Sequence, residues 1–176
     1  MHFLLTFIVI LIVWLNGDYK DWRKYHSTML YYAVGNLTYN FLCANYLLWK
    51  LDPDLMPNHP ITEMLYTFVV FPATALMFLR RYPSELKKKI IHYLLWIGLY
   101  VGIEYFFLLT GRIYYQFDWT YWWSVTLVII MFPMFRLHHK RPVLTYILSV
   151  IITIIFLEVF NIPVEVPIEE RPGYDH

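Results

Sequence analysis

Six apolar stretches, at about residues 2–15, 28–49, 61–79, 90–109, 121–135 and 143–160, divide this chain, with short polar segments between them. Such a pattern leaves few folds open. In hydrocarbon every backbone N–H and C=O must be paired within the protein, which only helices and closed barrels achieve. A spanning helix takes about 20 residues, within a range of roughly 17–25. The second, third, fourth and sixth stretches meet that length, while the first and fifth are short and borrow aromatic flanks at Trp14, Trp122 and Trp123. None alternates apolar and polar residues as a barrel strand does. The expectation is an all-α polytopic membrane protein. A six-transmembrane-helix bundle covers residues 1–162, and an extended, Pro-rich, acidic outer tail covers 163–176.

Composition agrees, since 15% of residues are charged and 59% hydrophobic, where soluble domains run near 25% charged. The opening run "MHFLLTFIVILIVWL" lacks the basic start and small-residue cleavage site of a signal peptide, so it is expected to stay as the first helix. A single cysteine, Cys43, excludes an intrachain disulfide and a Cys-rich metal site.

Charge placement sets the expected orientation. The segments "NGDYKDWRKYH", "RRYPSELKKK" and "RLHHKRP" hold 11 of the 14 Lys and Arg residues; Lys50, Arg112 and Arg171 are the other 3. Basic loops stay in the cytoplasm, so both termini are expected outside. Asp52, Asp54, Glu63, Asp118, Glu165, Glu169, Glu170 and Asp175 then fall on the outer side. A basic cytoplasmic face attracts anionic lipid headgroups. Pro72 and Pro133 fall inside stretches and predict kinks in the third and fifth helices.

Polar residues inside the apolar stretches are the candidate site. In the fourth, His92, Trp96, Tyr100 and Glu104 recur every four residues and share a stripe, while Gly98 and Gly102 make a GxxxG spacing that invites close backbone approach. That pattern predicts the fourth helix as the central one. An ionised carboxylate at mid-bilayer costs about 2.5–3.5 kcal/mol on insertion scales. Glu104 therefore reads as a packing brace to Arg112 or an asparagine, as a proton- or cation-handling group, or as an acid catalyst. In the second stretch, Tyr32, Asn36, Asn40 and Cys43 share a face, and their amides must meet protein or water. Glu63 and Glu158 sit near the outer ends of the third and sixth stretches, where they either join Glu104 in an acidic vestibule or stand alone. Thr145, Ser149 and Thr153 form a small polar stripe suited to packing.

No Ser-His-Asp set, phosphate-binding glycine loop or HExxH motif is present. His138 and His139 are neighbours pointing about 100° apart, a poor chelating pair. No catalytic residue, cofactor or metal is expected, and no nucleic acid.

The stretch "DWRKYHSTMLYYAVGNLTYNFLCANYLLWKLDP" carries Trp22 and Tyr25 at its start, Asn36 and Asn40 in the helix, and Leu48–Trp49 before an acidic-Pro exit. With "RRYP" and the Glu104 region, it resembles a family of small multi-pass membrane proteins from endospore-forming Gram-positive bacteria. The resemblance covers about residues 20–160. It implies a multi-pass topology and a bacterial plasma membrane, and it transfers no catalytic residue. The functional expectation is a non-enzymatic integral protein acting through a membrane-protein partner, as a homo-oligomer or as a subunit. The alternatives are a small permease or channel component using the Asn/Glu face, and an intramembrane enzyme acting on lipid or isoprenoid substrates.

Overall fold

The computed structural model describes residues 1–172; Asp175 and the end of the tail lie outside them. Six helices follow one another: α1 (His2–Leu15), α2 (Trp22–Leu42), α3 (His59–Arg80), α4 (Leu86–Leu109), α5 (Tyr121–Lys140) and α6 (Pro142–Val159). Three of them, α3, α4 and α6, are long and apolar enough to cross a membrane. Counting α1 together with Asp18–Leu42, which meet at a 75° bend, as one span makes four. The chain is thus mostly helical, with three to four candidate membrane spans by length and composition.

The bend is built locally. Gly17 takes φ 65°, a left-handed conformation that costs a glycine little, and a 3-10 turn (Asp18–Asp21) follows it. Asp18 is fully buried, and both Arg80 and Arg81 reach its two carboxylate oxygens, at 2.6 and 2.8 Å. Arg80 also holds the Asn16 carbonyl at 2.8 Å and Asp21 at 2.7 Å. The α1–α2 turn is therefore tied to the end of α3.

A strand pair is present where the sequence predicts helix and loop only. Strands β1 (Trp49–Leu51) and β2 (Ile113–Tyr115) pair antiparallel, with Trp49 opposite Tyr115 and Leu51 opposite Ile113. The second apolar stretch runs to residue 49, but α2 stops at Leu42. "YLLW" at 46–49 is apolar enough to read as more helix. Its side chains instead close the end of the bundle: Trp49 stacks on Tyr39 at 3.7 Å, and Leu48 packs with Cys43, Trp119, Phe160 and Ile162. Over residues 163–172 the tail packs against the bundle. Arg171 is buried and donates to the carbonyls of Leu42 and Ala44 at 2.8 and 2.9 Å, and Asn45 donates to Ile168 O.

The central helix is α3, not α4. Over its apolar window 56% of α3 is buried inside the protein, against 6% for α4. The two helices α2 and α3 pack closely against each other, and Ala33 of α2 and Ala75 of α3 are both buried. The Gly98 and Gly102 positions that suggested a central α4 face open space, with nothing within 4 Å of a Cβ built at either. Around Ala75, the main core gathers Tyr25, Phe78, Leu79, Phe132 and Phe135.

Pro72 acts as its chemistry requires. Lacking an N–H and crowding the preceding turn, it cannot continue a regular ladder, and a π-helical turn (Tyr66–Val70) sits immediately before it. Thr67 and Thr74 donate their hydroxyls to the carbonyls of Glu63 and Val70, at 2.7 and 2.9 Å, on either side of the break. Pro133 lies inside α5, which runs on to Lys140.

Candidate functional site

Two carboxylates lie inside the bundle, and each is met by neutral donors. Glu63, on the first turns of α3, is buried. Asn36 of α2 donates to its Oε2 at 3.0 Å and to Thr67 Oγ1 at 2.8 Å, and Asn40 reaches the same Oε2 at 3.4 Å. Asn40 also donates to the Asn36 carbonyl at 3.0 Å. The amide face of α2 thus meets the third helix, and the geometry is that of an interhelical clamp. Both amide donors converge on one oxygen.

Glu104, on α4, is half-buried and takes a 2.8 Å hydrogen bond from the Tyr115 hydroxyl of β2. Ser124 stands beside the same carboxylate and accepts from the buried Trp119 Nε1 at 2.9 Å. No ion pair involves Glu63 or Glu104 among the described residues. The brace to Arg112 predicted from the sequence is absent. Arg112 turns outward instead and binds Asp52 at 2.9 Å and Asp54 at 3.1 Å. The reason is the strand pair: β2 begins one residue after Arg112, and Asp52 follows β1, so pairing brings these charges together.

Tyr100, expected on the Glu104 stripe, donates to Thr74 Oγ1 of α3 at 2.7 Å, with Tyr32 adjoining it. His92 of the same stripe meets the Phe78 carbonyl at 3.0 Å. Glu158 is exposed on α6. Glu63, Glu104 and Glu158 share no hydrogen-bond partner among the described residues. Sequence reasoning overlooked Thr67, Thr74 and Tyr66. Glu63, Thr67 and Thr74 recur at helical spacing on one face, a signal that was present. It also missed His2, whose ring nitrogens meet Tyr66 Oη at 2.8 Å and the Asp52 carbonyl at 2.7 Å. That contact depends on residues 50 or more positions away and leaves no local trace.

Chemically this array can hold helices in register. Removing Glu104's acceptor oxygens should cost stability, whereas removing only its acidity should not. Glu104→Gln is expected within about 0.5 kcal/mol of wild type, because an amide oxygen still accepts from Tyr115. Glu104→Leu is expected to cost about 1–2 kcal/mol through the unpaired phenol and serine hydroxyl. Denaturation in detergent micelles measures both. Equal loss in the two variants would contradict a purely structural use of the carboxylate.

No family model, curated protein or solved structure is matched by this chain.

Proposed function

We propose that this chain is a six-span protein of the bacterial plasma membrane, with both termini outside, that carries out no catalysis of its own and works through a partner within the bilayer. The observation that carries this reading is the state of the two interior carboxylates. Glu63 and Glu104 are each occupied by neutral donors from neighbouring elements, the arrangement of a brace. A permease or an acid catalyst would need one of them open to a path or a substrate. Six spans draw support from the contacts at the two ends of α1. Its first turn is held at Asp52 and Tyr66, and the Asn16 carbonyl just past its end accepts from Arg80, so it lies along α3 from Tyr66 to Arg80. The segregation of basic loops supports the orientation, and the family resemblance of residues 20–160 agrees with a bacterial plasma membrane.

The test is topology. In a background carrying Cys43→Ala, single cysteines at Leu55 and Tyr114, both exposed, should react from outside intact cells with an impermeant thiol reagent. Cysteines at Ser84 and Lys140 should react only after the membrane is opened. Labelling of Ser84 from outside would overturn the six-span orientation. Proton flux in liposomes that follows a gradient and vanishes in Glu104→Gln would replace the partner reading with the permease.

A further inference from the structure

Helices α2 and α6 wall a cavity of about 520 Å³, floored by α5 through Leu127, Met131, Met134 and Phe135. One end is closed by Cys43, Leu48, Trp119 and Ile162, which belong to the aromatic cluster beneath the strand pair. The other end is bounded by Tyr31 and Tyr146. Val34, Val150 and Ile154 form its lips and are 52–59% exposed, so the cavity opens sideways along the helices.

Its chemistry limits what can fill it. Most polar groups on its walls are already engaged inside the protein. Tyr31 Oη and Ser149 Oγ are 2.8 Å apart, Ser149 donates to Thr145 O, Thr38 donates to Val34 O, and the Asn36 amide is engaged with Glu63 and Thr67. A water needs two to four polar partners and would find few here. Its apolar walls suit a slender hydrocarbon chain. From Tyr146 to Leu157 the groove runs roughly 16 Å, about half of a hydrocarbon core roughly 30 Å thick, the depth reached by a chain from one leaflet.

Charge at the Tyr31–Tyr146 end selects among lipids. His138 stacks on Tyr31 at 4.4 Å and sits 3.3 Å from Tyr146 Oη. Lys140 and Arg141 follow it and are exposed, and Lys24 lies over the Tyr25 ring at 5.1 Å. Cations at this end complement a phosphate and leave the closed end for the chain terminus. We propose that the groove between α2 and α6 seats one hydrocarbon chain of an anionic phospholipid whose headgroup lies at the basic end of the bundle. The site rests on the membrane reading above and supplies that reading with a bilayer partner. It differs from a lipid-modifying enzyme in that neither interior carboxylate lines the groove.

Gly35 offers a clean test. It lines the groove, and a Cβ there meets nothing within 4 Å, so Gly35→Phe fills the space without a clash at its first atom. Thr153→Phe fills it from the opposite wall, and Gly98→Phe makes the matching change on an open face of α4 outside the groove. The full chain is purified in micelles doped with phosphatidylglycerol or phosphatidylcholine, and retained lipid is counted by native mass spectrometry. Wild type and Gly98→Phe should keep one phosphatidylglycerol. Gly35→Phe and Thr153→Phe, with helical circular dichroism unchanged, should lose it roughly tenfold, a 1.4 kcal/mol change. Retention in both groove variants, or equal loss in Gly98→Phe, would overturn the site. Equal retention of the two lipids by wild type would overturn the anionic assignment. Release of the chain from membranes by alkaline carbonate would instead sink the membrane reading itself.

Discussion

Phe78→Ala should lower the stability of the bundle by about 2 kcal/mol, a figure that follows from the proposed membrane setting. Phe78 is fully buried and contacts His92 at 4.8 Å, Phe132 at 5.1 Å and Tyr93 at 5.5 Å between ring centroids. In a water-soluble core such a truncation costs about 3–5 kcal/mol, part of it lost transfer from water. In a bilayer the separated helices already lie in hydrocarbon, so the transfer part falls away and the packing part remains. Phe78→Leu should recover most of the loss by refilling the space. Reversible unfolding in mixed micelles reads the difference. A Phe78→Ala variant as stable as wild type would mean that α3, α4 and α5 do not meet at this ring.

Glu63→Leu should cost about 1–3 kcal/mol, while Glu63→Gln should be nearly silent. The asymmetry follows from geometry. Both asparagine amides point at a single oxygen, Oε2, which a glutamine carbonyl replaces. Leucine offers no acceptor, and two amides that reached Glu63 are left with less in an apolar setting. The loss is bounded because Asn36 keeps Thr67 and Asn40 keeps the Asn36 carbonyl. Asn36→Leu combined with Glu63→Leu should then recover part of the deficit, since replacing both partners removes the unpaired group. Unfolding of the two single variants and the double variant in the same micelles measures this coupling. If Glu63→Gln were as damaging as Glu63→Leu, the charge itself would be doing what the clamp is credited with.

The apolar stretches, the helices they become and the segregation of basic loops are properties of residues near one another in the chain. A bilayer demands internally paired backbone over about 20 residues, so hydrophobic length alone announces a helix. Pro72 shows the same legibility: its missing N–H is a local fact, and the π-helical turn beside it is the local answer. That the polar face of α2 must meet protein or water could also be read from Asn36 and Asn40 alone; that it meets protein could not.

Which groups meet was decided only by the tertiary arrangement. Glu104 and Arg112 are eight residues apart and invite pairing, yet β1 and β2 carry Arg112 to Asp52, 60 residues away, and leave Glu104 to Tyr115. The Asn face could have sought either glutamate, and it found Glu63 because α2 packs against α3. GxxxG pointed to α4 as the centre, but spacing shows only that a close approach is permitted, and this fold makes its close approach elsewhere. Periodicity says which side of a helix must be covered. The identity of the covering element depends on contacts between distant segments, whose geometry is set by packing and strand pairing rather than by spacing along the chain.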